Sequence, residues 1–280
     1  MAERYIFDSE EEKGGEGQPL ERELRERLRS VRSASERRTI AGLAREIGKL
    51  PADAARAALE VSAALAGLSL RAGVDFLKVV PEAARVLDAE GLRAWGEFGR
   101  RLTMADVETG ALFFSTAAGE LRGVPPEARG LLFQVCTRQL TLSTSVALET
   151  YRRAPEVARA VGDAALLGHV FEVALEIARR SARHSADFLA ATPRVAASLN
   201  AYWQTSEDDG AADEDLTAEA IALAGAFAAR AGGIAADMWA ATPEALEALG
   251  AAEARLLFRQ AALFLDRGGA AALHVLAAGG

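Results

Sequence analysis

Two stretches of this chain, VFEVALEIARRSARHSADFLAATPRVAASL (170–199) and AIALAGAFAARAGGIAADMWAATPEALEAL (220–249), align without a gap at an offset of 50 residues. Val173 then meets Leu223, Ala174 meets Ala224, Ile177 meets Phe227, Asp187 meets Asp237 and Pro193 meets Pro243. The frame extends both ways at a shorter period. Pro81 and Pro155 lie 74 residues apart, twice 37, with Ala118 in the middle slot, and Pro155 lies 38 before Pro193. GVDFLKVVPEAARVL (73–87) repeats the Asp75, Phe76, Pro81 spacing, and in the last copy Phe258 falls on Ile221 and Phe264 on Phe227. The excess over 37 between the two clearest copies is a polar insert, NAYWQTSEDDGAADED (200–215). Self-similarity at a fixed period of this length marks stacked units, because one such unit cannot bury its apolar face alone.

Each copy reads as helical. Apolar residues recur at helical spacing over about four turns in LLGHVFEVALEIARR. A small or capping residue follows: Ser69, Thr103, Ser143, Ser181, Gly232 or Gly268, which suits a turn or N-cap opening a second helix. That helix carries an aromatic column: Phe76, Phe113 or Phe114, Tyr151, Phe188 and Trp239. It meets a proline, and the residue before proline is pushed out of the helical region. Thr192 and Thr242 therefore read as N-caps, with Pro193 and Pro243 opening a short third helix such as PEALEAL. Alanine dominates, aromatics are only 6%, and strand-like alternation is nearly absent. The expectation is an all-α chain, a right-handed α-solenoid of about six helical repeats of ~37 residues, close to the armadillo or HEAT plan.

Residues 1–19 read as a polar, Gly-rich flexible tail. Residues 20–51 read as N-terminal capping helices, with Leu20, Leu24, Leu28 and Val31 on one stripe and Pro51 as a stop. The repeat domain is 52–280, interrupted by the acidic insert. The net charge of -8 argues against a dedicated nucleic-acid binder, which needs a net basic face. The N-terminus is acidic where a secretory signal would be basic, and no stretch approaches the length of a membrane span. The single cysteine, Cys136, fits a reducing compartment and falls in an apolar column as a structural thiol. The reading is a cytoplasmic protein.

Few residues in this chain are arranged for chemistry. Asp208, Asp209 and Asp213 resemble the aspartate cluster of all-α isoprenoid synthases, but they have no second cluster and no basic partner for a diphosphate, so a solvated loop is the reading. His169, His184 and His274 lack metal-ligand spacing, although His184 and Asp187 share a helix face. No nucleophile elbow, phosphate loop or dinucleotide fingerprint occurs. No catalytic, cofactor or metal residue is therefore assigned. Arg179, Arg180, Arg183 and Arg230 fall near the turn after the first helix, where a solenoid lines up equivalent positions. They are the candidate partner-binding residues, a basic ridge for an acidic protein partner. The competing reading has them offsetting helix macrodipoles.

An apolar helix, a small residue, then an aromatic and a proline recur through AWGEFGRRLTMADVETGALFF, YRRAPEV, DFLAATPRV and DMWAATPEAL. Over roughly residues 52–280 this resembles the helical region that precedes the von Willebrand A domain in bacterial proteins of the nitric-oxide-reductase and carbon-monoxide-dehydrogenase maturation type. The resemblance implies an adaptor that works with a MoxR-type AAA+ ATPase and delivers it to a client enzyme. The chain departs from that plan in having no Asp-x-Ser-x-Ser motif and no α/β pattern. No metal residue carries over, and the chain reads as the solenoid part of a longer protein or a standalone version. The alternatives are an all-α enzyme with a site between helices, and a HEAT-like nucleic-acid binder with a basic groove.

Overall fold

The computed structural model describes residues 42–43, 45–206, 216–249, 251–268, 271 and 274. The described residues are helical, with no strand among them. In chain order the helices are α1 (Ala52–Ala66), α2 (Leu70–Ala83), α3 (Ala89–Ala105), α4 (Val107–Glu120), α5 (Pro126–Leu140), α6 (Thr144–Val161), α7 (Ala164–Ala178), α8 (Ala182–Ser206), α9 (Leu216–Arg230), α10 (Gly232–Ala248) and α11 (Ala251–Phe264). None is long and apolar enough to cross a membrane. The chain divides into two compact units, Met1–Gly96 and Glu97–Gly280. The division falls inside α3.

Punctuation fixes where helices begin. Ser69 Oγ accepts from Ala72 N (3.4 Å), Ser143 Oγ from Val146 N (3.5 Å) and Ser181 Oγ from His184 N (3.2 Å), each satisfying an amide that the first turn leaves orphaned. Thr103 does not cap. It lies buried inside α3 and donates to Gly99 O (2.8 Å), while Asp106 caps α4 by accepting from Thr109 N (2.7 Å). Gly232 is the first residue of α10, preceded by an Ala231 N-cap without a side-chain bond. Gly268 has φ 132°, a conformation that favours glycine.

Each unit is expected to hold two helices with a kinked or separate third, and the separate form is absent. Pro81, Pro155, Pro193 and Pro243 all lie inside their helices, and α8 and α10 continue past theirs without a break. Thr192 and Thr242 are accordingly mid-helix and buried, donating to Phe188 O and Met238 O (3.0 Å each) rather than capping. Apolar residues are buried on both sides of each proline, Leu189 with Val195 and Trp239 with Leu246. That packing offsets the roughly 3 kcal/mol an interior proline costs. Helix α8 also extends to Ser206, so residues 200–206 of the insert are helical and 207–215 lie outside the described residues.

In the first unit α1 packs on α2, and the Phe76 and Trp95 rings meet at 5.4 Å. In the second unit α5, α7, α9 and α11 stack in succession as one layer. Helices α6, α8 and α10 stack as a second, and each pairs with the first-layer helix before it. Residues 171–180 and 221–230 carry the same order of buried, half-buried and exposed positions, ten for ten. A buried column of small residues, Ser62, Gly99, Cys136, Ala174, Ala224 and Ala261, recurs through the first helices. The aromatic column is core: Phe113 meets Tyr151 at 5.2 Å between α4 and α6, and Phe188 stacks on Trp239 at 5.2 Å between α8 and α10.

Gln139 breaks the pattern. Its column holds Leu65, Leu102, Ile177 and Phe227 elsewhere, all buried. Gln139 Nε2 donates to Ser185 Oγ (3.0 Å), which itself donates to Ala174 O (2.7 Å), but Gln139 Oε1 is buried without a hydrogen bond. Gln139→Leu is expected to raise stability by about 1 kcal/mol, because it removes an orphaned acceptor and leaves the Ser185 hydroxyl satisfied as donor. Urea melts followed by circular dichroism read the change.

Candidate functional site

The turns that follow α5, α7 and α9 lie along one edge, and arginines fasten them together. Helix C-termini end in carbonyls with no partner inside the helix and carry partial negative charge. Arg138, in the last turn of α5, donates from Nη2 to Arg179 O (2.9 Å) just past the end of α7. Arg180 donates from Nη1 to Ala228 O and from Nη2 to Ala229 O, both 2.8 Å, in the last turn of α9. The turns after α7 and α9 thus each receive a guanidinium from the preceding pair of helices.

The structure brings the four sequence-derived candidates to this edge. Arg179, Arg180 and Arg183 surround the α7–α8 turn and Arg230 ends α9, next to the Ala229 carbonyl that Arg180 holds. All four are exposed. Arg179 pairs with Glu176, and Arg183 Nε lies 3.1 Å from Asp187 Oδ1. These exposed pairs hold little energy and exchange readily for other carboxylates. Arg180 has a structural task as well, so its charge is available while its position is fixed. Arg138 escaped the sequence reading, although its place in the last turn of a first helix was the available signal.

The remaining candidates are scattered. Asp187 faces Arg183 rather than His184, whose ring lies against Gly233 of α10. His169 Nδ1 lies 3.0 Å from Glu172 Oε2 on the surface of α7, and His274 is exposed. Asp208, Asp209 and Asp213 lie outside the described residues. Among the described residues no group of three or more His, Cys, Asp or Glu side chains is arranged to hold a metal ion. Cys136 is wholly buried, and burial drives its thiol well above the ordinary range.

A shallow recess between α4 and α6 is lined by Thr109, Leu112, Phe113, Glu120, Leu148, Tyr151 and Arg152. Burial raises the Glu120 pKa above the usual carboxylate value, and the charge of Arg152 partly counters this. The recess thus sets one carboxyl and one guanidinium in a lining that also holds the Thr109 and Tyr151 side chains. No protein-family model, no curated protein and no solved structure matches this chain.

Proposed function

We propose that the chain is a non-enzymatic protein-binding scaffold, a right-handed α-solenoid of about six units whose arginine edge receives an acidic segment of a partner. The observation that carries the reading is the ridge itself. Arg179, Arg180, Arg183 and Arg230 stand on successive turns held in register by bonds from Arg180 to the Ala228 and Ala229 carbonyls. Stacked helical pairs present extended surfaces, and guanidinium forks suit planar carboxylates. In line with the resemblance described above, the partner is a MoxR-type AAA+ ATPase and the client is an enzyme it remodels, in a cytoplasmic setting. The all-α enzyme is less well supported, since the charged side chains described lie mostly on the surface.

The test is affinity capture from bacterial lysate with the whole chain as bait, compared with the double charge reversal Arg179→Glu, Arg183→Glu. These two residues are chosen because neither side chain bonds to the neighbouring helix pair. The expected outcome is capture of an AAA+ ATPase that weakens with salt and falls at least about tenfold in the variant, as loss of two charge pairs implies. Capture unaffected by the reversal removes the ridge from the reading. Salt-sensitive retention of DNA in place of protein replaces the scaffold with the nucleic-acid alternative.

A further inference from the structure

The edge that carries the arginines does not end with them. The residue ahead of each cap is in turn Ala105, Leu142, Arg180 and Arg230, before Asp106, Ser143, Ser181 and Ala231. At the turns after α3 and α5 the edge shows Met104, Val107 and Leu142, which are 61%, 44% and 56% exposed. Apolar side chains at turns need not be exposed here. After α4, Leu121 and Val124 are each 1% exposed. The Met104 sulfur accepts from Arg100 Nη1 (3.2 Å), which leaves most of that side chain in solvent.

Bonds and packing fix the order along the edge. Arg138 ties the end of α5 to the turn after α7, and Arg180 ties that turn to the end of α9. Helices α4 and α6 run the same way. Phe113 meets Tyr151, and a Cβ at Gly123, just past α4, would stand 2.9 Å from Pro155, further along α6. The turns that open α4 and α6 therefore lie at one end. The order is Met104 with Val107, then Leu142, then Arg180 flanked by Arg179 and Arg183, then Arg230. Packed helices stand about 9 Å apart, a distance that about three residues of extended chain cover.

Separation of the two kinds of side chain decides what fits. A membrane surface favours cations interspersed with apolar tips, facing anionic headgroups. Here they occupy different halves of one line. The apolar half carries exposed Asp106 and Glu108, and Arg100 and Arg101 of α3 both bind Glu97. That half repels anions. A linear segment with large apolar side chains at one end and carboxylates at the other matches both halves, and Asp106 with Glu108 disfavours the reverse placement.

Given the arginine edge as the docking site proposed above, we infer that the partner segment it receives has two parts. Large apolar side chains lie on Met104, Val107 and Leu142, and acidic residues follow about three to six positions away on the arginine ridge. Arg179 and Arg183 already pair with Glu176 and Asp187, exposed pairs of small worth that an incoming carboxylate can share. The apolar half therefore supplies most of the affinity, and the basic half sets direction.

Fluorescence anisotropy of the whole chain with two labelled synthetic peptides tests this. Both carry a run of four glutamates; one has leucines three and six residues before the run, the other serines. The leucine peptide is expected to bind at least about tenfold more tightly. Met104→Ser with Leu142→Ser, which leaves the charge unchanged, is expected to erase that difference without altering the serine peptide. Arg179→Glu with Arg183→Glu should weaken both peptides about tenfold. All four positions are exposed, so circular dichroism spectra stay unchanged. Equal binding of the two peptides, lost on arginine reversal, would overturn the two-part segment and leave the ridge in place. Binding of neither would remove both. Retention on phosphatidylglycerol vesicles that the paired serine substitutions abolish would put a membrane where the peptide is inferred.

Discussion

Trp239→Ala is expected to remove about 4 kcal/mol from the stability of the second unit, the range found when a buried aromatic is truncated to alanine. Three losses combine. The indole is fully buried in α10, so its removal opens a cavity the neighbouring helices cannot fill by collapse. Its stacking on Phe188 of α8, at 5.2 Å and 30°, disappears. Its Nε1–H bond to Thr192 Oγ1 (3.0 Å) goes as well. Trp239→Phe separates the terms: it keeps most of the packing, loses the bond, and should cost about 1 kcal/mol. Thr192 remains satisfied as a donor in both variants because its hydroxyl bonds to Phe188 O. Urea denaturation followed by far-ultraviolet circular dichroism measures both. A Trp239→Ala loss no larger than that of Trp239→Phe would mean the α8–α10 contact is not packed as described.

The second large effect comes from adding atoms. A Cβ at Gly99 would stand 2.1 Å from Phe114 Cζ and 2.5 Å from Cε1, with the ring itself fully buried. The ring cannot retreat, since Phe113 beside it is fixed edge-on against Phe98 at 5.2 Å and against Tyr151. Gly99→Val is therefore expected to cost about 3 kcal/mol through forced displacement of α3 from α4. Helix propensity works in the opposite direction, since glycine inside a helix is unfavourable. Gly130, on α5, has nothing within 4 Å of its Cβ position, so Gly130→Ala is the control and should stabilise slightly. If the two substitutions gave effects of the same sign, close helix approach would not explain Gly99.

How far the fold was legible follows from which forces act locally. The offset between 170–199 and 220–249 reported real equivalence because burial enforces it, residue by residue, from Phe171 to Arg180 and from Ile221 to Arg230. Ser69, Ser143 and Ser181 were readable as caps because capping involves only neighbours in sequence. The prolines misled for the complementary reason. A local rule ends the helix before Pro193 and Pro243, but tertiary packing of Val195, Leu199 and Leu246 carries it through. Thr103 and Asp106 are both plausible caps by type, and only the burial of Thr103 against Gly99 O decides between them. The arginine edge was visible as a pattern. That Arg138 and Arg180 hold the carbonyls of the next turn was not, since that needs a contact between residues 41 to 49 positions apart.

The matched exposure of residues 171–180 and 221–230 bears on how such a chain changes its length. Excising the fifty residues between two equivalent points joins surfaces that already present the same mixture of apolar and solvated positions. Duplicating them does likewise. At these two points the chain is written in interchangeable segments, so removal of the fifty residues between them is expected to leave the joined helices with matched buried and solvated faces.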